Sequence, residues 1–300
     1  MKIKNLVTRT IAGAGFVLVI LGGILLGSIS YFILFFTISI ASLIEFYTLI
    51  KKHKENNPQI FLGVAISILS FSLTFLNAIG YIPGTLVLLV IPFTLFIFIN
   101  EVLTFSRRSL SNIAYTVLGL FYITIPFSIL NYLVFQSNGM AEPALTNKVP
   151  FYTDDFLFSL KPSSDIFYHP EYLISLFVLI WIFDSFSYLW GVTTGRHLLI
   201  PKISPKKTWE GFWGGTLSTI LAAYIIAHYF DFFNTTQWLT ISFIVIFFGL
   251  FGDLTESLIK RSLHIKDSGN IIPGHGGLLD RFDSFIMIIP VYYFFLAISM

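Results

Sequence analysis

The most polar stretch of this chain is residues 257–284, SLIKRSLHIKDSGNIIPGHGGLLDRFDS. It gathers carboxylates, cations, histidines and glycines in a protein that is 55% hydrophobic and only 11% charged. Asp280 and Asp283 are three residues apart, so they are neighbours on one helical turn. Two carboxylates so placed suit a hard cation such as Mg²⁺, which prefers oxygen ligands and substrate phosphates. The alternative is that these acids only satisfy a helix dipole.

A proline and glycine segment precedes these acids. Pro273, Gly274, Gly276 and Gly277 exclude a regular helix and allow close approach of the backbone. Their N–H groups, together with the N-terminus of the following helix, are suited to cradling a phosphate.

The stretch GDLTESLIKR follows an apolar run, and no turn signal interrupts it until Gly269. The spacing predicts one helical face that carries Asp253, Ser257, Lys260 and His264. For Lys260 and Arg261 the alternative is a solvated helix end with snorkelling cations. A carboxylate near the membrane edge is costly without a partner, which favours a functional role for Asp253.

Two more polar positions lie upstream. In ISPKKTWEG, Lys206 and Lys207 offer charges for phosphate and Thr208 offers a hydroxyl, although cytoplasmic loops carry lysines for topology alone. Asp184 lies inside the apolar run LIWIFDSFSYLWG, where an ionisable group is a functional candidate. The alternative for Asp184 is a hydrogen bond between helices.

Apolar runs of about 20 residues recur along the chain, and such runs match the thickness of a bilayer core. With a mean hydropathy of +0.81, the sequence predicts an all-α polytopic integral membrane protein. Glu45 and Glu101 are interpreted as helix-end residues of such spans. The absence of cysteine excludes disulfides and thiol chemistry. Nine spans are predicted near 11–27, 30–50, 60–77, 82–101, 111–134, 171–194, 211–230, 238–259 and 284–300.

Basic residues fall almost entirely on one side of this nine-span arrangement. That side receives 16 of the 18 lysines and arginines, and the other receives only Lys148 and Lys161. Lys and Arg favour the cytoplasm, so the N-terminus and the 257–283 segment are predicted to be cytoplasmic and the C-terminus outside. The predicted organisation is N-terminal spans at 1–135, a non-cytoplasmic loop at 136–170, and a catalytic membrane region at 171–300.

The pattern S-x-x-K-R-x4-K-D-x5-P-x-H-G-G-x-x-D-R-x-D runs intact over residues 257–283 and resembles the signature of the phosphatidate cytidylyltransferase family. GDLTES and SPKKTWEG are also similar to that family. The segment 184–196, DSFSYLWGVTTGR, departs from the family's pattern: Ser187 stands at the usual Ala, Val192 at the usual Arg and Arg196 at the usual Lys.

The resemblance implies transfer of the cytidylyl group of CTP to phosphatidic acid, which gives CDP-diacylglycerol and pyrophosphate. It implies Mg²⁺ held by Asp253 and Asp280 with Asp283 in support; whether a second cation joins it stays open. Lys260, Arg261 and Arg281 are expected to contact phosphates. The remaining expected substrate-binding residues are Asp184, Tyr188, Ser204, Lys206, Lys207, Thr208, Ser257, Lys266, Asp267, His275, Gly276 and Gly277.

The expected setting is the bacterial inner membrane, with the active site facing the cytoplasm and the bilayer supplying the lipid. A homodimer is an open alternative, and no nucleic acid is expected as a partner. Two rival functions remain at this point: a CTP-dependent lipid kinase, and an ion-coupled transporter that uses Asp184 and Asp253. The gathering of polar residues on one side of the last 120 residues favours an enzyme over a transporter.

Overall fold

The computed structural model describes residues 2–52, 56–137, 166–265 and 276–299. The chain divides into two units by its internal contacts. The first unit comprises Met1–Pro170 and Asp267–Arg281, and the second comprises Glu171–Lys266 and Phe282–Met300.

Helices dominate the first unit. The first three are α1 (Lys2–Leu25), α2 (Ser28–Lys52) and α3 (Ile60–Ala78). A 3₁₀ turn (Gly84–Leu89) then leads into α4 (Val90–Thr104). A π-helical turn (Leu120–Thr124) joins α5 (Ser109–Gly119) to α6 (Ile125–Val134). Two short antiparallel strands follow, β1 (Phe135–Ser137) and β2 (Ile166–Tyr168). The last helix of the chain, α10 (Leu279–Ser299), has its first turn in this unit.

The second unit contains α7 (Pro170–Thr194), α8 (Trp209–Tyr229), α9 (Thr235–Ser262) and the remainder of α10. Between α7 and α8 lies an antiparallel hairpin of β3 (Leu198–Ile200) and β4 (Ser204–Thr208). The sequence pattern predicted only a polar loop there.

Seven helices among the described residues are long and apolar enough to cross a bilayer. This confirms an all-α polytopic membrane protein. They are Ser28–Lys52, Ile60–Ala78, Gly84–Thr104, Ser109–Val134, Pro170–Thr194, Thr235–Ser262 and Leu279–Ser299. The other two predicted spans coincide with α1, whose apolar part is Ala12–Leu25, and with α8. The count of nine spans and their orientation stay predictions.

Tyr47 joins three helices of the first unit. Its hydroxyl donates a hydrogen bond of 2.7 Å to the carbonyl of Thr116, and its ring fills the space left by two glycines. A Cβ atom at Gly63 or at Gly119 would come within 2.5 Å of the Tyr47 side chain. The two glycines therefore let α3 and α5 pack closely on α2, two residues after Glu45.

Close helix crossings also shape the second unit. A Cβ at Gly211 would lie 2.6 Å from the carbonyl oxygen of Ser187, so α8 packs directly on the backbone of α7. A Cβ at Gly252 would lie 2.5 Å from the carbonyl oxygen of Asp283 and 2.7 Å from the Cα of Ser284. Small residues at helix crossings in membranes permit this kind of approach. The crossing of α9 and α10 therefore brings the residue after Gly252, which is Asp253, beside Asp283.

The C-terminus of α9 corrects one prediction. The helix ends at Ser262, and His264 adopts a left-handed conformation with φ of 56° instead of continuing the helical face. The N–H of His264 bonds to the carbonyl of Arg261, and that of Ile265 bonds to the carbonyl of Lys260. This is a Schellman motif, which satisfies the last carbonyls of a helix. His264 therefore does not share a helical face with Asp253.

We expect Gly252→Ala to lower the unfolding midpoint of the purified protein, because the added methyl group overlaps the backbone of α10. Overpacking of this kind costs about 1–3 kcal/mol. Gly22→Ala is the matched control, since Gly22 is also helical and a Cβ there meets nothing within 4 Å. Equal midpoints for both variants in a thermal unfolding assay would contradict the close crossing.

Candidate active site

The hairpin β3–β4, which we call the basic arm (residues 198–208), carries the lysines of the SPKKTWEG motif. Lys206 is exposed on it and Lys207 is half-buried. Glu210, just after β4, binds His197, just before β3. Its carboxylate accepts hydrogen bonds from the His197 side chain at 2.6 Å and from the His197 backbone at 3.2 Å. These bonds, chiefly that from the side chain, lower the pKa of Glu210 to about 2. Glu210 thus stays ionised across the physiological range and holds the arm to the start of α8.

The two ends of β4 were both predicted to contact substrate. Ser204 begins the strand and pairs with Ile200. Thr208 ends the strand, and its hydroxyl accepts a hydrogen bond of 3.1 Å from the N–H of Gly211. That contact makes Thr208 the N-cap of α8, a role that the sequence analysis did not assign. The predicted substrate contacts of both residues stay predictions.

Lys207 lies among three carboxylates of the second unit. The ammonium of Lys207 lies 2.7 Å from Oδ2 of Asp253. The hydroxyl of Ser257, one turn later on α9, donates to Oδ1 of the same carboxylate at 3.3 Å. Asp283 on α10 is half-buried and lies within electrostatic range of Asp253, Asp184 and Lys207. We call Asp184, Asp253 and Asp283 the carboxylate cluster.

Asp184 and Tyr188 stand one turn apart on α7 and are both exposed on the protein's own surface. Tyr188 is 74% exposed. The sequence analysis treated the segment 184–196 separately from the signature, whereas the structure brings Asp184 into the carboxylate cluster.

Lys260 lies in a largely buried ion pair. Its ammonium contacts the carboxylate of Glu256 one turn earlier, and the two side chains are 14% and 2% exposed. Lys260 is therefore not the solvated cation at a helix end that was the alternative interpretation of the sequence. Arg261 is exposed, and its Nε donates a long hydrogen bond of 3.5 Å to the carbonyl of Ile203, which links α9 to the basic arm.

The described end of the glycine segment, residues 276–278, forms a turn in the first unit, which we call the signature turn. Gly276 has a φ of +89°, a conformation that favours glycine, and a Cβ there would lie 2.7 Å from Oδ2 of Asp280. The same carboxylate oxygen accepts a hydrogen bond of 3.0 Å from the N–H of Gly277. Asp280 therefore holds the turn that leads into α10, and Arg281 beside it is exposed.

Glu45 is a residue that the sequence analysis missed. It was interpreted as a helix-end residue, yet it is only 6% exposed, and its Oε2 accepts a hydrogen bond of 2.8 Å from the N–H of Leu278. Its other carboxylate oxygen, also buried, has no hydrogen-bond partner. The sequence marked Glu45 only as a single acid within an apolar run. Nothing in the sequence indicated that it contacts Leu278, which lies 233 residues away.

Three predicted substrate-binding residues, Lys266, Asp267 and His275, lie outside the described residues.

Two members of the carboxylate cluster, Asp253 and Asp283, are oxygen ligands of the kind that Mg²⁺ takes. Like charges repel one another unless a cation lies between them, and the ammonium of Lys207 contacts one of these carboxylates, that of Asp253. Mg²⁺ commonly takes one or two protein carboxylates and completes its shell with water and phosphate oxygens. Among the described residues no group of three or more acids or histidines forms a ready-made metal cage. Asp253 and Asp283 thus fit as a partial ligand set, whereas a metal shared by Asp253 and Asp280 stays a prediction.

Comparison with known proteins places these residues in a family. Residues 7–299 match the family model described as Cytidylyltransferase family. A protein of Staphylococcus aureus (strain COL) named phosphatidate cytidylyltransferase is 37% identical over 174 residues, which cover 56% of this chain and 65% of that protein. A protein of the same name from Staphylococcus haemolyticus is also 37% identical over 174 residues, with the same coverage. One from Staphylococcus epidermidis is 36% identical over 173 residues, again covering 56% and 65%.

The matched segment thus spans about two thirds of these relatives, and the family match extends over almost the whole of this chain. The chain belongs to the cytidylyltransferase family.

Proposed function

We propose that this protein transfers the cytidylyl group of CTP to phosphatidic acid, forming CDP-diacylglycerol and pyrophosphate in phospholipid biosynthesis. The observation that carries the proposal is the carboxylate cluster with Lys207, which lies near the C-terminal end of the apolar helix α9. A polar cluster at the end of a membrane span is where a soluble nucleotide can meet a lipid headgroup. The names of the relatives support the same reaction.

In this reaction an oxygen of the lipid phosphate attacks the α-phosphorus of CTP. A new P–O bond forms, the bond from the α-phosphorus to the oxygen shared with the β-phosphorus breaks, and pyrophosphate leaves with that electron pair. No general base is required, because the phosphate nucleophile is already ionised near pH 7. Positioning and charge neutralisation therefore dominate the work of the protein, as in other phosphoryl-type transfers.

The basic arm is suited to the phosphates. Lys207 is placed beside Asp253, and the exposed Lys206 adds charge next to it. Arg261 approaches the same arm through the carbonyl of Ile203. A Mg²⁺ ion held by Asp253 and Asp283 would neutralise charge on the phosphate oxygens and on the departing pyrophosphate. Without such an ion these carboxylates would repel the triphosphate.

The proposed orientation places the basic arm in the cytoplasm, where CTP is found. It rests on the distribution of lysine and arginine along the chain and on the bacterial source of the relatives, which favours the plasma membrane. A homodimer stays a prediction.

The reaction is tested with purified protein in phosphatidic acid micelles, using CTP labelled at either the α- or the γ-phosphate. We expect lipid-soluble label only from the α-labelled nucleotide. Label only from the γ-labelled nucleotide would instead identify a lipid kinase, and label from neither would overturn the proposed activity.

We expect Asp253→Asn and Asp283→Asn each to lower turnover by about a hundredfold to a thousandfold, the loss typical of removing one electrostatic group from an active site. Excess EDTA should have a comparable effect on the unmodified enzyme. Asp231→Asn is the matched control, since Asp231 is an exposed acid between α8 and α9. Full activity in EDTA, or in both cluster variants, would refute the metal assignment. Asp280→Asn tests separately whether Asp280 is needed.

We expect Lys260→Ala to reduce both stability and turnover. Removing the cation from a nearly buried carboxylate costs about 3–5 kcal/mol. The double variant Glu256→Gln with Lys260→Ala also removes the buried charge, so its unfolding midpoint should recover while turnover stays low. Recovery of turnover in the double variant would show that Lys260 acts through the fold and not on the phosphates.

We expect Glu45→Ala to lower kcat by about a hundredfold, because the signature turn loses its anchor and small displacements in active sites have effects of that size. Glu45→Gln keeps an oxygen that can accept from Leu278, so it should retain most of the turnover. A wild-type kcat for Glu45→Ala, measured on protein with an unchanged unfolding midpoint, would contradict a role of Glu45 in positioning the signature turn.

A further inference from the structure

A cavity lies in the first unit, among residues that the proposed reaction does not use. Its volume is about 390 Å³, and its walls come from the end of α2, the start of α3 and the end of α4. Two charged side chains, Glu101 and Lys51, line it.

Glu101 is a nearly buried carboxylate that is surrounded by neutral donors. It is 4% exposed and accepts hydrogen bonds from the amide of Gln59 at 2.7 Å, from the amide of Asn112 at 2.9 Å, and from the hydroxyl of Ser106. Among the described residues, no cation pairs with Glu101.

Lys51 lies in the last turn of α2, is exposed, and lines the same cavity. It forms no ion pair with Glu101 or with any other acid of the described chain. The cavity thus presents one negative and one positive group that do not neutralise each other. A ligand that carries both an ammonium and a phosphate would complement the two groups through charge-assisted hydrogen bonds.

Apolar side chains at the cavity indicate that the ligand comes from the bilayer. Phe61, which lines the cavity, is 85% exposed, and Leu103 and Phe105, which follow Glu101 in the sequence but do not line the cavity, are 79% and 91% exposed. Phe61 and Leu103 lie at the ends of two candidate membrane spans. Large exposed apolar side chains there are suited to acyl chains, so the polar groups lie where a lipid headgroup would reach them.

We propose that this cavity binds the headgroup of an ammonium-bearing phospholipid, with its ammonium on Glu101 and its phosphate near Lys51. The site is separate from the carboxylate cluster, and the proposal stands independently of the proposed reaction.

The full-length protein in detergent is titrated with short-chain phosphatidylethanolamine, with the matched phosphatidylglycerol, and with free phosphoethanolamine, and bound lipid is counted by native mass spectrometry. We expect phosphatidylethanolamine to bind at least about tenfold more tightly than the other two, the effect of about 1.4 kcal/mol from one charged contact. Equal binding of the two lipids would overturn the ammonium assignment. Equally tight binding of free phosphoethanolamine would overturn the lipid source.

Lys51→Ala and Glu101→Gln should each weaken phosphatidylethanolamine binding by about tenfold. Lys52→Ala is the matched control, because Lys52 is the neighbouring exposed lysine and is not part of the cavity wall. If Glu101→Gln does not fold, the comparison of Lys51→Ala with Lys52→Ala decides. Identical affinities for those two lysine variants would contradict the site.

Discussion

Carboxylates beside an apolar helix cannot be brought together without compensating charge, and this constraint organises the second unit. Asp253 and Asp283 approach because Gly252 lets α9 and α10 cross at backbone distance. Lys207 supplies a counter-charge at 2.7 Å. Without such a partner, neighbouring like charges would raise the energy of the folded protein. Carboxylates placed beside a lysine in this way are suited to binding a divalent cation together with a phosphate.

Several contacts in the second unit hold the hairpin that carries Lys207 in place. The lysine lies on a short hairpin, and a two-stranded hairpin is only marginally stable alone. Glu210 closes the base of the hairpin through His197, and Thr208 caps α8 directly after it. The close packing of Gly211 on α7 fixes the start of α8. In the first unit, Glu45 and Asp280 stabilise the signature turn, because both accept hydrogen bonds from its backbone.

The sequence predicted the helical membrane class well, because bilayer thickness dictates the length of apolar runs. It also pointed to Lys207, Asp253 and Asp283 as candidates, because their charges stand out against an apolar background, and their roles stay predictions. It failed where partners are distant along the chain. Glu45 and Leu278 are 233 positions apart, and the pairing of Lys260 with the buried Glu256 depends on which side of α9 faces the interior. His264 was wrongly placed on a helix because a left-handed histidine gives no signal comparable to that of glycine.

Asp253 and Asp283 are proposed to bind a divalent cation together, in the presence of the nucleotide. Electron paramagnetic resonance of Mn²⁺ in the presence of CTP measures this directly, without turnover and without lipid. The account predicts a protein-bound Mn²⁺ signal that is weakened strongly by Asp253→Asn and by Asp283→Asn but not by Asp231→Asn. Mn²⁺ affinity that is unchanged in both cluster variants would contradict it.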